Sequence, residues 1–131
     1  DLKLNDKILI IKNPKREEVV SAYKQCEFLI LPSRWELSPL TPLDGFAFKK
    51  TVISTTAHGI PYTISNNENS LLVEPENPTQ LADAILKLLN DDLLLKKLGN
   101  SGFEHVLNVA NSKKMAENTL NLYQNLSYVD N

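Results

Sequence analysis

Hydrophobic and β-branched residues in the first part of the chain are concentrated in short continuous runs that are separated by polar segments. The four runs are residues 7–11 (KILII), 28–31 (FLIL), 51–54 (TVIS) and 70–73 (SLLV). Such a run, closed by a turn signal such as Asn13-Pro14 or Pro32, is typical of a strand buried on both faces of a parallel sheet. We therefore predict that these four segments are parallel neighbours in one sheet.

The segments between the runs have helical spacing. Val19, Tyr23 and Cys26 would face one side of a helix over residues 17–25, and a further helix is predicted from about residue 42 to residue 49. Strands that alternate with helices at this spacing indicate βαβ units. The predicted fold class is therefore α/β, a Rossmann-like three-layer α/β/α arrangement around a parallel sheet.

The last third of the chain has only helical patterns. Asn77-Pro78-Thr79-Gln80 combines an N-cap residue, a proline in the first turn and a glutamine three residues after the cap. Asp91 or Asp92 is expected to cap the next helix, which we predict to stop at Gly99 because glycine commonly follows a helix end. A final helix, capped by the serine at its start, is predicted over residues 112–123.

Composition and charge exclude several classes of function. The chain has 131 residues, which fits one domain, and its 14 Lys and Arg against 16 Asp and Glu give a formal net charge of −2. A dedicated nucleic-acid-binding protein needs a basic surface, so no nucleic-acid partner is expected. No apolar run approaches the roughly 18–20 residues of a membrane-spanning helix. Cys26 is the only cysteine, which indicates no internal disulfide and a cytoplasmic location.

Candidate functional residues are concentrated in residues 31–47 (LPSRWELSPLTPLDGFA). A predicted strand ends at Pro32, a loop carries Glu36, and a helix follows with Asp44 one turn inside it. Ligands of open α/β sheets bind beyond the carboxyl ends of the strands, and a helix start there offers free N–H groups to a phosphate. The two acids are separated by seven residues, so we expect both to lie beside this crevice.

The order of these motifs resembles the retaining glycosyltransferases of the GT-B fold, group 1 and family 4 type, which carry two acids with this separation. The resemblance covers about residues 8–123. The matching positions are Ala22-Tyr23, residues 28–33, Glu36, Asp44, residues 51–54, Gly59-Ile60-Pro61, residues 69–73 and residues 81–89. The resemblance implies that the chain is the C-terminal, donor-binding half of a GT-B fold. It also implies that the first βαβ unit and the N-terminal acceptor domain are missing.

By this resemblance the chain would bind a nucleoside-diphosphate sugar. The resemblance implies that the donor sugar and diphosphate contact Ser33, Glu36, Leu40 and Thr41. It also implies that the ribose contacts Asp44 and that the nucleotide base contacts Lys12 and Asn13. Glu36 would be the catalytic residue and would hydrogen-bond hydroxyls of the donor sugar. The backbone amides of Leu40 and Thr41 would stabilise the charge that the departing diphosphate gains. No metal ion or other cofactor is expected.

The chain departs from the family pattern at several positions. Asp44 replaces the usual second Glu, and Leu37 and Ser38 replace a Gly-Phe pair. Lys49 replaces the glycine of a Gly-Lys-Pro motif in the family pattern. Because glycine supplies a backbone freedom that other residues lack, the loop after Glu36 is expected to be restricted.

Several of these residues also have a purely structural interpretation. Thr41-Pro42-Leu43-Asp44 is typical of a helix start, in which the threonine is the cap and the acid stabilises the positive end of the helix whether or not a ligand binds. The alternative for Glu36 is a solvated loop acid, and His58 either approaches the ligand or is a solvated loop residue. Trp35 is expected to pack under the loop, and Cys26 is expected to be a buried filler.

The predicted organisation is one partial C-terminal glycosyltransferase domain over residues 1–131, with an α/β donor-binding part at about 8–90 and C-terminal helices at 91–131. The intact protein would transfer a sugar with retention of configuration, and this chain alone would be inactive. Two alternatives stay open: a non-catalytic glycosyltransferase-like module for assembly or regulation, and an unrelated doubly wound nucleotide-binding domain. Expected partners are a nucleotide sugar, the missing acceptor domain and a second copy of the chain. Membrane contact is expected only through the missing domain.

Overall fold

A computed structural model of the protein describes residues 4–126. Three strands form one open parallel sheet in the order β1 (Phe28–Leu31), β2 (Thr51–Thr55) and β3 (Ser70–Val73). The register places Ile53 of the central strand between Ile30 of β1 and Leu71 of β3. Strands that follow one another along the chain are therefore neighbours in the sheet, and the predicted parallel α/β arrangement is confirmed for these three segments.

Six α-helices and one 3₁₀ turn accompany the sheet in the described residues. The helices are α1 (Arg16–Gln25), α2 (Thr41–Ala47), α3 (Ile60–Thr63), α4 (Pro78–Leu89), α5 (Asp92–Asn108) and α6 (Ser112–Leu126), and the 3₁₀ turn is Asn5–Lys7. Within residues 4–126, no helix is both long enough and apolar enough to cross a membrane.

The prediction of a strand over residues 7–11 is wrong. Ile8 has extended dihedral angles (φ −119°, ψ 122°), but no strand in residues 4–126 forms a ladder with this segment. Its apolar side chains are exposed, and Leu9 is 85% exposed. A strand is defined by the hydrogen bonds to a neighbour, so apolar character alone does not produce one.

Two hydrophobic clusters cover the two faces of the sheet. Ile53 packs on one face with Leu88 of α4 and Leu98 of α5, and all three side chains are fully buried. The preceding residue, Val52, points to the other face and packs with Phe46 of α2, next to α3. Burying one such side chain contributes about 1.5–3 kcal/mol, so the clusters hold helices on both faces. The Rossmann-like α/β fold is therefore confirmed.

Helix α5 continues past Gly99, so the predicted stop at this residue is wrong. Gly99 is buried, and a Cβ atom there would overlap the carbonyl oxygen of Lys49. A Cβ atom at Gly102 would overlap the ring of Phe46 in the same way. The two glycines thus let α5 approach α2 and the amino end of β2 closely, and they do not end the helix.

Side-chain caps fix the starts of the C-terminal helices. Asn77 and Asp91 each accept a hydrogen bond from the backbone N–H three residues later, at 3.0 and 2.8 Å, so both expected caps are confirmed. The final helix is capped by Asn111, whose side-chain oxygen accepts from the Lys114 N–H at 2.9 Å. The expectation that Ser112 is the cap is wrong because Ser112 is already the first residue of the helix.

The end of α2 has the geometry of a Schellman motif. The Lys50 N–H donates to the Gly45 carbonyl oxygen at 3.0 Å, and the Lys49 N–H donates to the Phe46 carbonyl oxygen at 2.9 Å. Lys49 therefore occupies the position after the cap and has a left-handed φ of 58°. A non-glycine residue in this conformation stores backbone strain.

Candidate functional site

Two loops meet at the carboxyl end of the sheet. The Glu36 loop (residues 32–40) follows β1, and the His58 loop (residues 56–59) follows β2. The Thr55 hydroxyl donates to the Ser33 carbonyl oxygen at 2.6 Å. The Gly59 N–H donates to the Glu36 carbonyl oxygen at 2.9 Å. These bonds hold the Glu36 loop against its neighbour, at the edge where ligands of open α/β sheets bind.

Glu36 is half-buried, and its carboxylate is oriented within its own loop. The Ser33 hydroxyl donates to Glu36 Oε1 at 3.2 Å. The structure therefore brings together these two predicted donor-site residues. A carboxylate has about four acceptor positions, so one such bond leaves most of the group available to sugar hydroxyls.

The start of α2 differs from the predicted cap. Helix α2 begins at Thr41, and its cap residue Leu40 makes no side-chain capping hydrogen bond. The prediction that Thr41 is the N-cap is therefore wrong. The Leu40 carbonyl oxygen accepts from the Asp44 N–H at 2.9 Å, which places Asp44 as the fourth helical residue. Within residues 4–126, the exposed Asp44 carboxylate makes no hydrogen bond or salt bridge, so it caps nothing by direct contact and is available to a ligand.

Helix α1 reaches the same region through Tyr23. The ring of Tyr23 stacks on the ring of Phe48 with 5.6 Å between the centroids. Burial raises the pKa of Tyr23, and the negative charge of Asp44 raises it further. Tyr23 therefore stays neutral at physiological pH and forms an aromatic wall next to the Asp44 carboxylate.

Lys12 and Asn13, the predicted base-binding residues, are both exposed. Asn13 has a left-handed φ of 47°, a conformation that asparagine adopts more readily than most residues. No hydrogen bond or salt bridge in the described part of the chain links either side chain to Glu36 or Asp44. Their predicted role in binding the base therefore stays a prediction.

Apolar side chains form an exposed rim on the two loops. Trp35 is 64% exposed, and its indole ring lies 6.0 Å from the ring of His58. The expectation that Trp35 packs under the loop is wrong. A Cβ atom at Gly59 would overlap the Leu37 carbonyl oxygen, so the two loops are already in backbone contact and leave no space for an indole. The sequence also contains no signal for Thr55 beyond that of a β-branched strand residue.

A cavity of about 410 Å³ lies on the α4 side of the strand ends, with Pro32, Thr55 and Val73 in its lining. A salt bridge of 3.1 Å between the exposed Arg34 and Glu76 spans its rim, and a pair of this kind contributes at most about 1 kcal/mol. The two predicted acids do not line this cavity. The predicted donor-site residues therefore lie outside this cavity, in the Glu36 loop and at the start of α2.

Cys26 is half-buried and shows no sign of activation as a nucleophile. Burial raises the pKa of its thiol, and the S–H group donates to the Tyr23 carbonyl oxygen at 3.5 Å. Nowhere in residues 4–126 are three His, Cys, Asp or Glu side chains grouped so that they could hold a metal ion. The predicted donor-site groups in this part of the chain stay the two acids and the backbone amides at the start of α2.

The family model described as "Glycosyl transferases group 1" matches residues 1–105. The chain belongs to this family. It is 39% identical over 88 residues to an uncharacterized glycosyltransferase of Methanocaldococcus jannaschii, in an alignment that covers 67% of this chain and 25% of that protein.

Two solved structures are similar to this chain in fold and in sequence. Sucrose-phosphate synthase from Thermosynechococcus elongatus superposes with a TM-score of 0.85 at 27% identity, covering 97% of this chain and 32% of that one. A TarM mutant of S. aureus, solved in complex with fondaparinux, alpha-GlcNAc-glycerol and UDP, has a TM-score of 0.68 at 25% identity and covers 79% of this chain and 22% of that one. This chain therefore spans a third or less of the length of each of these three proteins.

The positions at which the chain departs from the expected family pattern have different structural consequences. Neither Leu37 nor Ser38 has a positive φ, so the loop after Glu36 needs no glycine in this conformation. The expected restriction of the loop after Glu36 stays a prediction. Lys49, in contrast, has a left-handed φ at a position where the family pattern has glycine. The strain lies at the end of α2 and not in the Glu36 loop.

Proposed function

We propose that this chain is the donor-binding side of an enzyme that transfers a sugar from a nucleoside-diphosphate sugar to an acceptor, with retention of anomeric configuration. Membership of the group 1 glycosyl transferases over most of the chain carries the proposal. Support also comes from the position of Glu36, held at the carboxyl edge of a parallel sheet by Ser33. The similar TarM structure contains UDP, which makes a nucleoside diphosphate the first ligand to test.

In the proposed complex, Glu36 accepts hydrogen bonds from hydroxyls of the donor sugar and is the catalytic residue. Its carboxylate is preorganised by Ser33, so little reorientation is needed when the sugar binds. The bond between the sugar and the diphosphate breaks, and the departing diphosphate gains negative charge. The amides of Leu40 and Thr41 lie at a helix start, where N–H groups lack partners within the helix, and they stabilise that charge.

The nucleoside part of the donor would bind along the remaining predicted residues. Asp44, whose exposed carboxylate is not committed to a capping bond, accepts hydrogen bonds from the ribose hydroxyls. Lys12 and Asn13 contact the base. We propose no metal ion or other cofactor for this site, because the helix start and the two acids supply the interactions that the mechanism requires.

The proposed partners follow from exposed apolar surface and from length. The chain spans a quarter of its M. jannaschii relative, so we propose that a further domain supplies the acceptor side and that this chain alone does not complete transfer. The apolar side chains of residues 8–11 and of α6 are exposed. Contact with that domain, or self-association of the chain, would cover them. In this arrangement residues 8–90 bind the donor, and helices α5 and α6 follow the donor-binding part.

Calorimetric titration of the intact protein with UDP, ADP and GDP tests the donor site. Asp44→Ala is expected to weaken binding of the preferred nucleotide more than about tenfold, or about 1.4 kcal/mol, because the ribose loses its acceptor. Glu36→Gln is expected to lower kcat at least about tenfold while the melting temperature stays within error, since the shape is kept and the charge is removed. Glu68→Gln is the matched control, an exposed loop acid before β3 at the opposite edge of the sheet.

The titration also separates the alternatives. If Asp44 only stabilises the helix start, Asp44→Ala lowers the free energy of unfolding by about 0.3–1 kcal/mol, and the melting temperature falls with it. Nucleotide affinity then stays unchanged. If the chain is a non-catalytic module, none of the three nucleotides binds to the intact protein. Unchanged nucleotide affinity in Asp44→Ala, together with unchanged turnover in Glu36→Ala, would contradict the donor-site assignment.

A further inference from the structure

We propose that Thr55 is a positioning residue for Glu36: its buried hydroxyl links the Glu36 loop to the His58 loop and thereby fixes the direction of the Glu36 carboxylate. The proposal rests on the proposed function for its consequence in catalysis. The link itself is a property of the fold and is testable without any ligand.

The Thr55 hydroxyl makes one hydrogen bond to each of the two loops. Thr55 is the last residue of β2 and is 2% exposed. Its Oγ1 donates to the Ser33 carbonyl oxygen at 2.6 Å and accepts from the Ala57 N–H at 3.4 Å. One side chain therefore satisfies a carbonyl in the first loop and an amide in the second. Removing the hydroxyl would leave both backbone groups without this partner.

Ser33 transmits the link to the carboxylate. The carbonyl of Ser33 is held by Thr55, and the hydroxyl of the same residue donates to Glu36 Oε1 at 3.2 Å. A second bond converges on the same acid, because the Gly59 N–H donates to the Glu36 carbonyl oxygen at 2.9 Å. Both the backbone and the side chain of Glu36 thus depend on how the two loops are held together.

A neighbouring hydroxyl provides the matched comparison. Ser54 Oγ donates to the Leu31 carbonyl oxygen at 2.8 Å, and Ser54 is fully buried. This bond has the same chemistry as the one from Thr55, but it joins two strand residues that are already paired in the sheet. Its loss should affect stability without freeing the Glu36 loop.

Hydrogen exchange of the glycine amides measures the link directly. The chain has only four glycines, and Gly59 is the one whose N–H crosses between the loops, whereas Gly99 and Gly102 lie in α5. In Thr55→Val, exchange at Gly59 is expected to accelerate about fivefold or more relative to the two α5 glycines. Thr55→Ser restores the hydroxyl and is expected to restore protection. Ser54→Ala is expected to change all three amides by the same factor.

Turnover of the intact protein tests the catalytic consequence. Thr55→Val is expected to lower kcat at least about fivefold, with recovery in Thr55→Ser. Thr55→Val should bind the preferred nucleotide (UDP, ADP or GDP) with an affinity within twofold of the wild type. The reason is that a free nucleotide lacks the sugar that Glu36 contacts. Equal acceleration of exchange at Gly59, Gly99 and Gly102 in Thr55→Val would overturn the proposal, since Thr55 would then be only a stabilising core residue. Faster exchange at Gly59 alone, in a protein that binds none of the three nucleotides, would support the link and contradict the proposed function.

Discussion

Gly99 lies in the middle of α5, and replacing it with alanine tests how closely this helix approaches the rest of the fold. Helix propensity predicts that Gly99→Ala stabilises the protein by about 1 kcal/mol, because glycine is the poorer residue in a helix interior. The packing predicts the opposite. The new Cβ atom would overlap the Lys49 carbonyl oxygen and lie 3.0 Å from the Lys49 carbonyl carbon.

The packing effect is the larger of the two. Relief of the overlap requires α5 to move away from Lys49 by roughly 1 Å, and overpacking of this kind costs about 1–3 kcal/mol. The movement would also lengthen the hydrogen bond from the Thr51 hydroxyl to the Leu95 carbonyl oxygen, now 2.7 Å, and its weakening adds about 1 kcal/mol. After the propensity gain is subtracted, Gly99→Ala is expected to lower the free energy of unfolding by about 1–3 kcal/mol.

Urea unfolding, followed by far-UV circular dichroism at 25 °C, measures this difference. Asn100→Ala is the control, since Asn100 is exposed in the same helix and alanine there improves propensity without meeting another element. The control is expected to be as stable as the wild type or slightly more stable. A Gly99→Ala variant that matches this control would show that α5 does not approach Lys49 closely, and the explanation for the uninterrupted helix would fail.

Two further predictions concern Lys49 and Cys26. Lys49→Gly should be more stable to urea than Lys49→Ala by about 1 kcal/mol. Both variants lose the cation–π contact with Phe103 (4.8 Å), and only glycine relieves the strain of the left-handed φ of 58°. Equal stability of the two variants would contradict the Schellman geometry. The Cys26 thiol should react with iodoacetamide at pH 8 more slowly in the folded chain than in urea, because burial raises its pKa in the folded state. A raised pKa also means that the stabilisation is present below the unfolded thiol pKa, about 8.5, and is lost as the pH rises through the folded value. Above about pH 8.5, stability should therefore fall more in wild type than in Cys26→Ala.

Local signals account for the parts of the fold that the sequence predicts well. The caps Asn77 and Asp91 bond to amides three residues away, so each motif contains its own partner. The same holds in the candidate site, where Ser33 and Glu36 are three residues apart. The hydrogen bond from Thr55 to Ser33 spans 22 residues and depends on the register that pairs Leu31 with Ser54. A sequence pattern does not specify that register, so the sequence gives no indication of the role of Thr55.

Glycine signals are ambiguous for a related reason. A glycine at a helix end and a glycine at a close helix contact look alike in a sequence, because both reflect the missing Cβ atom. Gly99 belongs to the second kind, since the atom that excludes a side chain is a carbonyl oxygen 50 residues earlier, that of Lys49. At Lys49 itself the conformation that favours glycine is present and the residue is lysine. The need for glycine is therefore set by tertiary packing in one case and by backbone conformation in the other.

Residues 7–11 show how an apolar pattern differs from a strand. The segment is as apolar as β2, and Ile8 has extended dihedral angles, yet Ile10 is 74% exposed whereas Val52 and Ile53 are fully buried. The difference is that β2 has a hydrogen-bonded strand on each side and helices on each face, while the described residues place no strand beside residues 7–11. The pattern thus predicts an extended segment that is suited to burial, and a paired neighbour is what turns that segment into a strand. By the same reasoning, a chain that pairs with this segment and also covers its faces would convert its exposed side chains into core. Protection of its backbone amides from hydrogen exchange would report that pairing.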